Sequence, residues 1–257
     1  MTENNKTPLL ELKSIRKYYA MDNVADKEVI NDLSLTVDAG DFLCILGPSG
    51  CGKSTLLKCI SGFESFEGSI TLDGEPIKKP GPDRILVFQD FNQLFPWKTI
   101  SKNVQYPLRL QGEKNRAVLK EKAEEYLAKV GLLDYKDYYP HQLSGGMKQR
   151  AAIARALVLS PRVMLMDEPF ASLDAITRRN LQNELLAATE GVDISVLFVT
   201  HNIQEALILG TRTMVMSDQG QIVLDEENTM EKPVKPTSPG YPEVWRRYSE
   251  ALKASPV

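Results

Sequence analysis

Eight consecutive residues, Gly47-Pro48-Ser49-Gly50-Cys51-Gly52-Lys53-Ser54, have the types and spacing needed to hold a phosphate chain. Glycines at 47, 50 and 52 let the backbone curl until successive N–H groups point into one concavity, which favours anions. Ser54 and Thr55 then open a helix, whose N-terminus adds its positive end. Lys53 brings a point charge for β- and γ-phosphates, and Ser54 a hydroxyl for Mg²⁺. Cys51, inside the loop, has two readings: a thiol made reactive by the helix N-terminus, or one that fills space. A second stretch, Val163-Met164-Leu165-Met166-Asp167-Glu168-Pro169, puts two acids at the end of an apolar run. In open α/β sheets the carboxyl ends of strands face the ligand crevice. There Asp167 can hold Mg²⁺ through water, and Glu168 can polarise a water that attacks the γ-phosphate. Leu143-Ser144-Gly145-Gly146 leads toward a helix at 151–159, which makes either a second anion-binding helix end or a simple N-cap. His201 follows the apolar run 196–199, and a lone histidine is more often structural or exposed than catalytic.

These residues need elements to carry them. Phe42–Leu46 is a short apolar run of buried-strand type, and 54–60 reads as a helix stopped near Gly62. Residues 9–19 and 29–37 read as strands, the latter alternating Leu33, Leu35 and Val37 with polar residues. Ile70 and Leu72 belong to another, closed by Asp73-Gly74. The stretch before the loop is therefore β-rich and antiparallel in character. Further strands are expected at 85–88, 163–166, 196–199, 213–216 and 222–224, the last two joined by an Asp218-Gln219-Gly220 turn. Residues 90–158 lack a strand pattern. A helix is expected at about 113–130, with Leu119, Ala123, Tyr126, Leu127 and Val130 on one face and Gly131 as its cap. Leu181, Leu185 and Ala188 mark another. Beyond about 226 the chain is Pro-rich, with a short amphipathic end around Trp245.

At 257 residues the chain can bury a large core in one domain or two. Hydrophobic residues at 42% and charged residues at 25% are ordinary for a globular protein. A net charge of −3 makes no electrostatic case for nucleic acid. No apolar run approaches the ~18 residues that span a membrane. Met1–Lys6 is polar and lacks the apolar core of a signal peptide. Three cysteines, Cys44, Cys51 and Cys59, fit a reducing compartment better than a disulfide framework.

Taken in order, these motifs resemble the ATP-binding cassette (ABC) ATPases of membrane transporters, over about residues 9–225. The resemblance implies an α/β fold: a P-loop NTPase core with a mainly parallel sheet, an antiparallel β subdomain near the N-terminus and an inserted helical subdomain. It implies a cassette domain at 1–225, with core and β subdomain over 1–89 and 159–225, helical insertion at about 90–158, and an extension at 226–257. Residues 47–55, from Gly47 to Thr55, then bind ATP. Gln89 stands where the family's Q-loop glutamine reaches Mg²⁺ and the attacking water, and Asp167 and Ser54 complete the metal set. Ser144, Gly145 and Gly146 match the signature loop, with Met147 where Gln is commoner. Glu168 matches the catalytic acid, Asp174 the D-loop and His201 the switch histidine; Asn202 replaces a frequent Asp. Tyr19 matches the adenine-stacking aromatic, with Tyr18 a neighbouring candidate.

The implied partners are a second copy, meeting head to tail with ATP between one P-loop and the other's signature loop; transmembrane permease subunits; and, indirectly, an extracytoplasmic solute-binding protein. No nucleic acid is implied, and the implied location is the cytoplasmic face of the membrane. Phe95-Pro96-Trp97, Leu-Ser-Gly-Gly-Met and Asp-Glu-Pro-Phe-Ala-Ser-Leu-Asp resemble the nitrate, sulfonate, taurine and bicarbonate importer group. Phe91, Phe95 and Trp97 line a groove for a permease helix on one reading and form the insertion's own core on the other. Two rival classes remain. A soluble cassette acting on ribosomes or DNA usually carries two cassettes or a long coiled insertion, and this chain has neither. A binding module without turnover has no use for both Glu168 and His201.

Overall fold

The computed structural model describes residues 7–21, 24–88, 93–171 and 173–253. In chain order, β1 (Leu10–Met21), β2 (Val24–Val37) and β3 (Phe42–Leu46) lead into α1 (Lys53–Ser61). Next come β4 (Glu67–Leu72), β5 (Glu75–Pro76) and β6 (Arg84–Val87). Three helices follow: α2 (Ile100–Leu110), α3 (Arg116–Lys129) and α4 (Gly145–Leu157). Then come β7 (Val163–Asp167), α5 (Ala175–Thr189), β8 (Ser195–Thr200), α6 (Ile203–Leu209), β9 (Arg212–Met216), β10 (Ile222–Glu227) and α7 (Tyr241–Lys253). They form two compact units. One is built from the described chain up to Gly81 and from Ser195 onward, the other from Pro82–Ile194.

The first unit holds an antiparallel sheet in the order β2-β1-β4-β5, as the sequence leads one to expect. Leu33, Leu35 and Val37 are buried, so the alternation read from the sequence points one face of β2 into the core. In the same unit β3 runs parallel to both β8 and β9, and β10 turns back antiparallel on β9. Every residue of β3 and of β8 is buried, which is why both read as unbroken apolar runs. Helix α1 starts after Gly52, whose φ of 101° suits only glycine, and a Cβ there would lie 2.5 Å from the Val29 carbonyl oxygen.

Past β10 the extension is fastened to the unit. Lys232 Nζ donates to the carbonyls of Leu207 (3.0 Å), Ile208 (2.6 Å) and Gly210 (3.0 Å), closing the C-terminal end of α6. Asn228 Nδ2 donates to Leu207 and Gly210 at 2.9 Å each. Tyr248 of α7 is fully buried.

In the second unit β6 and β7 pair in parallel, and α2, α3 and α4 pack together. Leu119, Ala123, Tyr126 and Leu127 form the buried stripe of α3. Helix α2 was not legible as a helix. Its buried face includes Ser101 and Asn103, and Pro107 lies inside it. Asn103 explains its own burial: Oδ1 accepts from Phe95 N at 2.8 Å, and Nδ2 lies 3.1 Å from the carbonyls of Phe95, Lys98 and Thr99. That one amide satisfies the backbone of the preceding loop. Helix α4 begins at Gly145, earlier than expected, so the two glycines are its first turn. A Cβ on Gly146 would lie 2.8 Å from Thr177 Cγ2, so the glycine permits close approach of α4 and α5.

Lys232 is exposed as a residue, but desolvation of its ammonium against the α6 carbonyls pulls its pKa down to about 8. Below that pH the folded and unfolded chains both carry the ammonium and its desolvation cost is constant. Between there and its unfolded value of about 10.4 only the unfolded chain keeps the proton, so stability rises with pH through this window. Urea unfolding at pH 7.5 and 9.5 should show the stability difference between parent and Lys232→Met moving in favour of the parent at the higher pH; equal differences would show that the ammonium titrates normally.

Candidate active site

In the first unit the register of three strands gathers the chemical residues. Leu46, the last residue of β3, is opposite Thr200 of β8 and Val215 of β9. Gly47 and His201 therefore leave the carboxyl ends of adjacent parallel strands, the position where α/β sheets bind ligands. Ser49, Gly50 and Ser54 are exposed along the loop and the first turn of α1. Lys53 is only 5% exposed, and its Nζ donates to the carbonyls of Gly47 and Pro48 at 2.8 Å each. The ammonium is thus held inside the curl of its own loop, its burial compensated by hydrogen bonds.

Cys51 resolves into the space-filling reading. It is 1% exposed, and its Sγ fills the space that a Cβ on Gly47 would enter, 2.6 Å away. Burial raises its pKa, outweighing the nearby Lys53 ammonium, so the helix N-terminus does not yield a reactive thiolate.

Tyr18 and Tyr19 differ in what holds them. The Tyr18 hydroxyl donates to Glu28 Oε1 at 2.9 Å. The Tyr19 ring lies 4.9 Å from the ammonium of Lys17, which is itself buried and paired with Glu64 at 3.1 Å. Lys17 is a residue the sequence reading passed over; a lysine two places before an aromatic on a strand shares its face and was the available signal.

In the second unit Val87 is opposite Met166, so Phe88 and Asp167 stand at adjacent strand ends. Gln89, Phe91 and Ser172 lie outside the described residues. Asp167 and Glu168 are partly exposed, and Glu168 has φ of 42°, a left-handed backbone costing on the order of 1–2 kcal/mol for a residue with a side chain. Ser144 is the N-cap of α4, accepting from Met147 N at 3.3 Å. Gly145 and Gly146 open the helix behind it. Asp174 caps α5, accepting from the amides of Ile176 (3.1 Å) and Thr177 (3.0 Å). Hydrogen bonds from Thr177, side chain and backbone, hold its carboxyl below the usual range.

Among the described residues no three His, Cys, Asp or Glu side chains form a metal cage. Mg²⁺ carried with a triphosphate needs only one or two protein carboxylates or hydroxyls. Ser54 and Asp167 are hard oxygen donors of that kind. No described helix is long and apolar enough to cross a membrane.

The model of one protein family, described as ABC transporter, matches residues 30–171, more than half of the chain. The chain belongs to the ABC transporter family. The aliphatic sulfonates import ATP-binding protein SsuB of Bacillus cereus is 40% identical over 240 residues, covering 93% of each chain. The nitrate import ATP-binding protein NrtD of Synechococcus elongatus is 46% identical over 195 residues, 74% of this chain and 69% of that one. A solved dimeric ATP-binding cassette, in a post-hydrolysis state with ADP and Pi, superimposes with a TM-score of 0.75 at 32% identity, over 85% of this chain and 98% of that one. The cassette described here is accordingly an ATP-binding ATPase with the P-loop NTPase fold.

With all three cysteines buried and their pKa values raised by burial, none should react readily in the native cassette. Titration with a chromogenic disulfide at pH 8 should count no fast thiols before denaturant and three after it; prompt labelling of Cys51 in the native protein would reinstate the reactive reading.

Proposed function

We propose that this cassette is the ATP-hydrolysing subunit of a bacterial importer for a small anion such as nitrate, a sulfonate, taurine or bicarbonate. It works as a head-to-tail pair of identical chains, peripheral to the cytoplasmic face of the membrane and bound to permease subunits that a solute-binding protein serves from outside. The observation that carries this reading is the P-loop with its lysine ammonium held inside the curl at the end of a buried parallel strand. The anion class rests on the likeness to sulfonate and nitrate import subunits. In the domain reading, 1–225 is the cassette, about 90–158 its helical insertion and 226–257 its extension.

The roles follow from the chemistry of each group. Loop amides from Gly47 to Thr55 and the Lys53 ammonium hold the β- and γ-phosphates, Lys53 exchanging its carbonyl partners for phosphate oxygens. Ser54, Asp167 and Gln89 would hold Mg²⁺, whose charge neutralises those oxygens. Tyr19 stacks on adenine, because Tyr18 is already committed to Glu28. Glu168 takes the proton of the attacking water, and His201 contacts the γ-phosphate. A P-loop already supplies one helix N-terminus to the phosphates. Closing the γ-phosphate from water needs a second one brought in by movement, and a symmetric pair supplies it twice through Ser144, Gly145 and Gly146, with Asp174 beside the join.

The permease contact is assigned to the start of the helical stretch. Trp97 is 70% exposed, which favours a docking role over a place in the insertion's own core. Beside it in the sequence, Phe95 packs on Trp97, Tyr106 and Lys98, and a cavity of about 230 Å³ opens between Phe95, Tyr106, Pro107 and Arg155. An apolar cleft with one part-buried guanidinium suits a helix that carries an acidic residue.

Two experiments test these readings. Glu168→Gln should keep ATP binding and lower kcat by on the order of 10²- to 10⁴-fold. In that background, neither Lys53→Ala nor Ser144→Arg chains alone should occlude labelled ATP, while their mixture should occlude up to one per heterodimer. Cross-linked heterodimers that trap none would return Ser144 to the role of an ordinary helix cap. Separately, the parent cassette should co-purify from membranes with permease subunits, and Trp97→Ala should weaken that association while leaving the circular dichroism spectrum unchanged. A variant that loses its fold would place Trp97 in the insertion's core.

A further inference from the structure

Two residues flanking His201 are tied to a single hydroxyl. Thr200 Oγ1 accepts from the amide of Asn202 at 3.0 Å and donates to Glu205 Oε2 at 2.5 Å. Thr200 is 2% exposed and Glu205 5% exposed, so this exchange is shielded from water, where hydrogen bonds are stronger and their loss is costlier. Asn202 in turn caps α6, its Oδ1 accepting from Gln204 N at 2.9 Å. The hydroxyl therefore spans His201 from the residue before to the residue after, and the carboxylate fixes which way the hydroxyl points. Thr200 is also the residue opposite Leu46, the last residue before the phosphate loop. His201 itself is exposed.

We propose that Glu205 is a positioning residue for His201: its buried carboxylate orients the Thr200 hydroxyl, which clamps the 200–202 backbone and so sets where the imidazole meets the γ-phosphate. Thr200 and Glu205 are buried and offer a nucleotide no surface to touch, so the clamp is expected to act on turnover and not on ATP binding. The inference rests on the γ-phosphate role proposed for His201, and the design separates the two. Thr200→Val removes the hydroxyl with nearly unchanged shape, Thr200→Ser keeps it, Glu205→Gln keeps an acceptor and Glu205→Leu removes it without leaving a buried charge.

In the full-length cassette, Thr200→Val and Glu205→Leu should lower kcat by on the order of 10- to 100-fold, the scale of an ångström-sized misplacement of a reacting group. KM for ATP should stay within about twofold, because only an interaction of the transition state is lost. Thr200→Ser and Glu205→Gln should recover most of the rate. Glu205→Leu combined with His201→Ala should be no slower than His201→Ala alone, since both act through one group. Amide exchange followed by mass spectrometry should speed up at 200–203 in Thr200→Val and Glu205→Leu and stay unchanged in His201→Ala. Unaltered exchange, or parental kcat in the two disruptive variants, overturns the clamp. Multiplicative losses in the double variant overturn its action through His201, leaving Glu205 a purely structural acid. If His201→Ala turns over at the parental rate while exchange still speeds up in the clamp variants, the role given to His201 is what fails, and the positioning function falls with it.

Discussion

The register of β3 against β8 and β9 is the constraint on which the first unit depends. These strands are buried throughout, so their pairing is fixed by packing as well as by hydrogen bonds. A slip of one residue would move His201 by about 3.3 Å relative to Gly47, farther than a hydrogen bond tolerates, and would reverse every side chain between the two faces. The apolar core of this sheet therefore also positions loops: the same Leu, Ile, Val and Phe side chains that drive folding decide which loop stands beside which. Polar fastenings act on top of it. Lys53 is tied to the start of its own loop, and the carbonyls at the far end of α6 are closed by Lys232 and Asn228.

The second unit uses a similar plan with different fastenings. Val87 opposite Met166 sets the strand end from which Asp167 and Glu168 emerge. The positive φ at Glu168 turns the chain abruptly there, and the backbone carries strain at the one acid assigned to the attacking water. Close approach at Gly146 and the 3.2 Å bridge from Arg150 to Glu184 join α4 to α5. The helices that Ser144 and Asp174 cap are thus one packed pair.

What could be read without coordinates was whatever has a fixed spacing. The phosphate loop was legible because backbone curvature demands glycine at set intervals, and the buried strands because parallel pairing makes them continuously apolar. Helix α3 was legible from its stripe. Helix α2 was not, because its buried face is partly polar and Asn103 spends its amide on a loop eight residues back. The start of α4 was missed because Gly145 and Gly146 have poor helix propensity, overridden here by the packing against α5. Cys51 showed the limit of local reasoning: a helix end favours the thiolate, but desolvation wins once the side chain turns inward. Glu205 and Lys17 carry no motif at all. Their meaning lies in which atoms they reach, and spacing alone does not report it.

The discontinuity of the first unit bears on how the chain is made. The phosphate loop leaves the ribosome early, yet β3 gains its parallel neighbours β8 and β9 only after residues 82–194 have followed. At typical elongation rates of about 5–20 residues per second, that interval is on the order of ten seconds. Throughout it, β3 is a fully apolar strand with two open edges, the kind of segment that pairs with the wrong chain. The last of the fastenings, Lys232 on α6, arrives later still. A cassette built this way holds a complete phosphate-binding sequence well before it holds a phosphate-binding structure, because the sequence of one unit is inserted within that of the other.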